Sequence, residues 1–316
     1  KIKIETQVDK SNPIIISGIT RSGKAMMMEI ISSFKNVEKS TMNIVMEQSY
    51  YLHQIKKIGY EEAIFLLRKS YSVLSSNLIF GRDLNFRKDD YTSIFNFKNP
   101  KIYLNRIKQN IKKNKIEHIK KNIHIPLMLH YAASSYYLLI KSFPKIKIID
   151  MNKNPIELAF SWVKKNLGGD HYKNPNVMIP TLNYKNKYLP YYALGWEDKY
   201  LKLSKFDRII ASIKFLDEKK KTEIKKLNPA QKKKILKINF DQFVSNKKSI
   251  DKLTKFLRLN KTNYTSRVLK KNNCPREIFT KELKNKRKFL KTKLSKKYYN
   301  LMIEMEKEYI ENYNLK

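Results

Sequence analysis

The most constraining stretch of this chain lies near its start. Pro13-Ile14-Ile15-Ile16-Ser17 runs into Gly18-Ile19-Thr20-Arg21-Ser22-Gly23-Lys24-Ala25, and no Gly or Pro follows through Phe34. A β-branched run without polar alternation reads as a strand buried on both faces, the pattern of a parallel sheet. The glycines mark a loop, and the residues after it are good helix formers. Strand, Gly-bounded loop and helix open a βα unit. Parallel strands need long crossovers, so the chain must build further strands and helices in alternation.

The loop has the spacing G-x-x-x-x-G-K between a strand and a helix. Glycines let backbone amides approach an anion, the helix N-terminus adds its dipole, and Lys24 stands where a lysine reaches a phosphate. Gly18, Thr20, Arg21, Ser22, Gly23, Lys24 and Ala25 are therefore the candidate phosphate cradle. The eighth position is Ala25 rather than Ser or Thr, so the hydroxyl that would hold Mg²⁺ is missing. That counts against a nucleoside triphosphate kinase and leaves room for a donor that transfers without metal.

Further strand candidates are 122–125, Lys145-Ile146-Lys147-Ile148-Ile149-Asp150 and Ile235-Leu236-Lys237-Ile238-Asn239-Phe240. Helical patterning covers 47–80, 99–121, 128–142, 155–166, 191–226, 246–258 and 294–313. Asn154-Pro155 starts one of these helices and Gly168-Gly169 ends it. The expected architecture is α/β and three-layered, a central parallel sheet flanked by helices. We expect one domain over 1–316, with mostly helical insertions at about 47–121 and 167–230. Residues 167–190 read as a long loop which, with the Tyr-rich stretch Tyr184 to Tyr192, is a candidate acceptor pocket. Trp162 and Trp196 read as core.

Lys and Arg number 67 against 28 Asp and Glu, a net charge of +39, and only ten of the basic residues are Arg. The Lys, Ile, Asn and Tyr bias shares A/T-rich codons, so a lysine-rich background accounts for most of this charge. Specific phosphate forks favour Arg. The charge suits a basic nucleic-acid-binding protein, but no helix-turn-helix, zinc-finger or RNA-recognition motif accompanies it, and no specific nucleic-acid partner is expected. No apolar run is long enough for a membrane span. The opening decapeptide has no apolar leader core. Cys274 is the single cysteine, which excludes an internal disulfide framework and suits a reducing, cytoplasmic setting. No Cys/His cluster has metal-ligand spacing, so no metal is expected.

A second block spans Phe143-Pro144-Lys145-Ile146-Lys147-Ile148-Ile149-Asp150-Met151-Asn152-Lys153-Asn154-Pro155, with Ser161 eight residues after Lys153. Lys153 at a strand end and Ser161 within two helical turns converge on one anion. The two blocks together resemble the PAPS-dependent sulfotransferases (PAPS is 3′-phosphoadenosine 5′-phosphosulfate), a P-loop NTPase-like fold that includes bacterial carbohydrate sulfotransferases. The family's basic-Ser-Gly loop matches Arg21-Ser22-Gly23. Its second block matches Phe143-Pro144, Lys147-Ile148-Ile149, Lys153-Asn154-Pro155 and Ser161. A third match is the strand with Phe240-Asp241 followed by Phe256-Leu257, so the resemblance spans about 12–260. It implies transfer of a sulfuryl group from PAPS to a hydroxyl or amine acceptor, a small molecule or carbohydrate, with adenosine 3′,5′-bisphosphate as product and no metal. The first loop would hold the 5′-phosphosulfate and the second block the 3′-phosphate. Lys153 stands for the usual Arg and loses its fork. Lys24-Ala25 stands for Thr-Thr and loses two hydroxyls.

Arg21 and Lys24 are the candidate electrophilic pair beside the leaving phosphate. The candidate bases are His124, in Asn122-Ile123-His124-Ile125-Pro126, and His130, in Leu127-Met128-Leu129-His130. The resemblance favours His124 through the family's Lys-Thr-His-Leu-Pro segment. His53, His118 and His171 have less support. Residues 281–297 hold nine basic residues against Glu282. By resemblance, Lys284, Lys286 and Arg287 would fold over the 3′-phosphate. The competing reading is a phosphate-loop kinase, with Asp150 at the end of a metal-binding strand.

Overall fold

The computed structural model describes residues 4–39, 41–90, 92–108, 113–169, 179–278 and 280–313. In chain order its strands are β1 (Asn12–Gly18), β2 (His124–Met128), β3 (Lys147–Asn152), β4 (Thr181–Tyr184), β5 (Lys187–Pro190) and β6 (Ile235–Asn239). Four of them form a parallel sheet in the order β2-β1-β3-β6. The carboxyl ends of β1, β2 and β3 therefore lie on one edge, the edge where ligands sit in open α/β sheets.

Alternation along the buried strands divides the core in two. Ile15 of β1 and Ile148 of β3 face one layer, with α2 (Ile44–Gln54), α3 (Tyr60–Phe80), α6 (Tyr136–Ser142), α7 (Pro155–Lys164) and α9 (Lys205–Lys225). Ile14, Ile16, Ile149 and Met151 face the other, with α1 (Lys24–Ser32), α11 (Phe240–Ser245), α12 (Ser249–Leu257) and α13 (Asn263–Lys271). Ile14, Ile15 and Ile16 are at most 1% exposed, so truncating any of them to Ala should cost about 2–5 kcal/mol. The result is the expected α/β class, a parallel sheet between two helical layers.

Several elements differ from the sequence expectation. The helix expected over 47–80 is two helices, broken before Gly59, the N-cap of α3. The one expected over 99–121 is α4 (Pro100–Lys108) and α5 (Lys113–Asn122), and the residues between them lie outside the described ones. The short strand at 122–125 runs on through Met128, so the helix expected from 128 starts only at Tyr136, after a turn at Tyr131 with φ 55°. The expected loop 167–190 contains an antiparallel hairpin, β4 with β5, turned by Lys185 and Asn186 at φ 50° and 58°. Positive φ at both central residues suits the twist of such hairpins. Its residues 170–178, His171 among them, lie outside the described ones. The 191–226 region is α8 (Glu197–Lys202) and α9. The C-terminal third adds α10 (Pro229–Lys232), α14 (Thr280–Lys291) and α15 (Lys296–Asn312). No helix among the described residues is long and apolar enough to cross a membrane.

Candidate functional site

The Gly18–Lys24 loop follows β1 at the carboxyl edge of the sheet. Its glycines are sterically required. Gly18 has φ 135°, and a Cβ there would lie 2.4 Å from the Met151 carbonyl. Gly23 is the N-cap of α1 at φ 96° and makes no side-chain cap bond; a Cβ there would lie 2.5 Å from the Phe240 ring. The first amides of α1 are left to a ligand or solvent. Thr20 Oγ1 and Ser22 Oγ are buried in the same loop without a hydrogen-bond partner. Orphaned hydroxyls beside a helix N-terminus are suited to an anion's oxygens.

Lys24 is 4% exposed and turns its Nζ back into the loop, donating to the carbonyls of Gly18 at 2.9 Å and Ile19 at 3.1 Å. Burial pushes its ammonium down to about 8; Glu47 and Asp150 oppose that shift, and Arg21 adds to it. Ala25 is exposed at the start of α1 and offers no hydroxyl.

Arg21 is held at φ 75°, in the left-handed region, with its side chain across the loop. Its Nε donates to Ser161 Oγ at 3.0 Å. The next residue of α7, Trp162, is fully buried and donates its indole N–H to the Thr20 carbonyl at 2.9 Å. Trp162 is thus core and also a brace for the phosphate loop, a role its sequence position does not reveal. Asn154 caps α7 by accepting from the Ile156 amide at 2.9 Å.

Lys153, at the end of β3, places Nζ 4.7 Å over the Phe240 ring and 3.6 Å from Glu157 Oε2. Burial lowers its pKa, and the Glu157 charge works against that. Helix α14 packs on α7 through Phe160 and Phe289, whose ring centres are 5.5 Å apart. It brings Lys286 within 2.7 Å of Glu157 Oε1. Of the three basic residues expected over the 3′-phosphate, Lys286 stands beside Lys153. Arg287 turns to Glu306 at 2.6 Å, and Lys284 is exposed.

The two candidate histidines occupy opposite ends of β2. His124 pairs with Asn12 at the start of β1, six residues before Gly18. At about 3.3 Å per residue that is roughly 20 Å from the loop. Burial lowers its pKa. The resemblance that favoured His124 matched a segment, and the strand direction sends that segment's start to the wrong edge. His130 follows the carboxyl end of β2, where the Leu129 amide bonds the Ile16 carbonyl at 3.2 Å. Its Nδ1 lies 2.9 Å from Glu47 Oε1, which also accepts the His130 amide at 2.9 Å. Tyr50 and Tyr51 both donate their hydroxyls to the His130 carbonyl. Glu47 is 1% exposed, and Leu129, the residue before His130, is bonded to Ile16 of β1, so the His130–Glu47 pair lies at the same edge of the sheet as the loop. A carboxylate on Nδ1 fixes the tautomer and leaves Nε2 as the basic atom. Sequence reasoning missed Glu47, because one acid in an amphipathic helix carries no signal of the histidine it meets 83 residues later.

His53 has Nδ1 3.4 Å from the Ile58 carbonyl, in a 540 Å³ cavity that Tyr60, Tyr137, Tyr191 and Tyr192 also line. His118 is exposed on α5. Asp150, the aspartate the kinase reading needs, is fully buried. It accepts from the Tyr136 hydroxyl at 3.0 Å and faces Lys220 at 3.7 Å. Burial works against the Lys220 ammonium, but Asp150 and Asp217 outweigh it and raise its pKa. That carboxylate is engaged inside the helical layer.

No protein-family model matches the chain, and no curated protein matches it. Among solved structures it is similar to the sulfotransferase domain of the olefin synthase of Synechococcus PCC 7002, with a TM-score of 0.45, 9% identity, and 84% of this chain and 80% of that one covered. It is also similar to the sulfotransferase domain from the curacin biosynthetic pathway, with a TM-score of 0.44, 10% identity, and 81% and 76% covered. A third similarity is to a sulfotransferase from Mycobacterium tuberculosis H37Rv, with a TM-score of 0.41, 10% identity, and 87% and 76% covered.

Proposed function

We propose that this chain is a sulfotransferase that uses PAPS as donor and a hydroxyl or amine acceptor, with a carbohydrate hydroxyl as the acceptor class. The observation that carries the reading is the junction of the two anion-binding blocks. Arg21 of the phosphate loop bonds Ser161 of the second block, beside two orphaned loop hydroxyls. One doubly phosphorylated ligand accounts for both blocks, and a nucleoside triphosphate accounts only for the first.

The residues fit such a donor. The amides at the start of α1, with Thr20 and Ser22, would hold the 5′-phosphate side, and Arg21 and Lys24 would offset the charge that grows there during transfer. Lys153 and Ser161 would hold the 3′-phosphate. PAPS supplies the sulfuryl group and leaves as adenosine 3′,5′-bisphosphate. His130 Nε2 takes the acceptor's proton, while Glu47 orients the ring and stabilises the imidazolium that results. In this scheme the side-chain cations of Arg21, Lys24 and Lys153 offset the charge that a metal ion offsets in a kinase.

A thermal melt in EDTA tests the reading. Saturating adenosine 3′,5′-bisphosphate should raise Tm, because a ligand that binds only the folded state stabilises it by mass action. No shift at saturation overturns the donor assignment.

A further inference from the structure

Glu157 occupies an unexpected place. It lies in the first turn of α7, between the two lysines that border the second anion site. Oε2 is 3.6 Å from Lys153 Nζ, and Oε1 is 2.7 Å from Lys286 Nζ. All three side chains are at most 22% exposed, so the arrangement is largely shielded from solvent. Two ammonium groups converging on one carboxylate also suit a phosphate.

Each of the two lysines has an anchor besides Glu157. Lys153 is fixed by its position at the end of β3, with its ammonium over the Phe240 ring. Lys286 is placed by α14, which docks through the Phe160–Phe289 contact and through Arg287 to Glu306 on α15. Glu282, one turn before Lys286, contacts the same ammonium at 2.5 Å from an exposed position. The cap of α7 is supplied by Asn154, so Glu157 is free of that duty. Glu157 thus fills a clamp whose two lysines are each anchored by a further contact.

We infer that Glu157 is a built-in competitor for the 3′-phosphate: its carboxylate holds the Lys153–Lys286 clamp in the free protein and must leave it when the donor binds. The inference rests on the donor reading above. It makes Glu157 a specificity-determining residue. A nucleotide without a 3′-phosphate has nothing with which to displace the carboxylate and gains nothing from the clamp. A 3′-phosphorylated nucleotide brings two negative charges against one and takes both lysines. Its affinity is lowered by the competition and by repulsion from a carboxylate left nearby.

The test is the affinity of wild type and Glu157→Gln for adenosine 3′,5′-bisphosphate and for adenosine 5′-phosphate, with inorganic phosphate as a third probe. Gln keeps the side chain's length and is tolerated in a first helical turn. Glu157→Gln should bind the bisphosphate about tenfold more tightly, as expected for removal of one close like charge, and adenosine 5′-phosphate within twofold of wild type. Inorganic phosphate should raise the Tm of Glu157→Gln more than that of wild type. Glu157→Asp keeps the charge on a shorter arm and should fall between the two. If wild type binds the bisphosphate and Glu157→Gln binds it no better, the competitor role is overturned while the donor reading stands. If neither protein binds either nucleotide but Glu157→Gln gains the phosphate shift, the donor reading fails and the occupied clamp survives. Equal gains for both nucleotides would also overturn the inference, because they would show a general charge effect.

Discussion

Arg21 Nε donates to Ser161 Oγ at 3.0 Å, joining a loop after the first strand to a helix after the third, 140 residues later. The contact exists because β1 and β3 are parallel neighbours, with Gly18 opposite Met151. The loop after one strand and the helix after the other must then leave the same edge of the sheet side by side. Arg21→Ala and Lys153→Ala should each weaken adenosine 3′,5′-bisphosphate binding by about 10- to 100-fold, the worth of a hydrogen bond to a charged group at about 1.5–3 kcal/mol. Calorimetric titration measures both. Arg21→Lys should retain part of the affinity. Wild-type binding by both alanine variants would move the site elsewhere.

His130→Gln should reduce turnover by about 10²- to 10⁴-fold, the usual contribution of a positioned base, with bisphosphate affinity unchanged. Glu47→Gln should lower turnover less, since it leaves the ring in place but removes the charge that stabilises the imidazolium. His124→Gln should leave turnover near wild type. It should instead change acid stability. Burial holds the His124 pKa below the usual histidine value of 6.5, so the unfolded chain takes up a proton first as pH falls. Native stability contributed by neutral His124 is present above that value and is lost as pH drops through it. Removing His124 should flatten that acid-side slope in urea titrations at pH 5 and 7. A large loss of turnover in His124→Gln, with His130→Gln active, would reverse the assignment.

Much of the frame was legible because it is local. The Ile14–Ile16 run, the glycines at 18 and 23 and Asn154-Pro155 each encode their own conformation. The loop spacing further implied an anion. What was not legible depends on strand direction and on distant partners. His124 and His130 are six residues apart and chemically equivalent in sequence. Only the pairing of β2 with β1 sends one to each end. Glu47, Trp162 and Glu157 gained their roles through contacts 83, 142 and 129 residues away. The breaks in the long helices were hidden for another reason. Amphipathic patterning continues across Gly59 and across the turn at Leu203-Ser204, so periodicity alone joins what the chain separates.

Gly23→Ala should destabilise the protein by about 1–3 kcal/mol, the cost of holding a residue with a side chain in a sparsely populated backbone region. The new Cβ would also press on the Phe240 ring, 2.5 Å away. Phe240→Leu in the same chain should relieve the collision but not the backbone strain, giving partial recovery. Urea unfolding of the single and double variants measures both parts. Complete recovery would mean that the ring contact alone makes Gly23 necessary.

Lys24 ties the phosphate loop together with a buried charge. Its ammonium is buried, and its pKa falls from 10.5 to about 8. Between those values the unfolded chain holds a proton that the folded chain has lost, so stability rises with pH across that window. Below about pH 8 the full penalty remains, about 3 kcal/mol at roughly 1.36 kcal/mol per unit. The bonds to the Gly18 and Ile19 carbonyls, made by a charged donor, return about 1.5–3 kcal/mol each. Lys24→Met should therefore destabilise the free protein by about 1 kcal/mol at pH 7, and the deficit should grow at about pH 9.5, where the wild type has shed part of its penalty. The same variant should lose most of the Tm increase caused by adenosine 3′,5′-bisphosphate, because the buried charge is what an anion in the loop meets. Denaturation at the two pH values, with and without the nucleotide, separates these effects. A Lys24→Met protein more stable than wild type at pH 7 would show that the cost of burying the charge outweighs the bonds it makes to the loop.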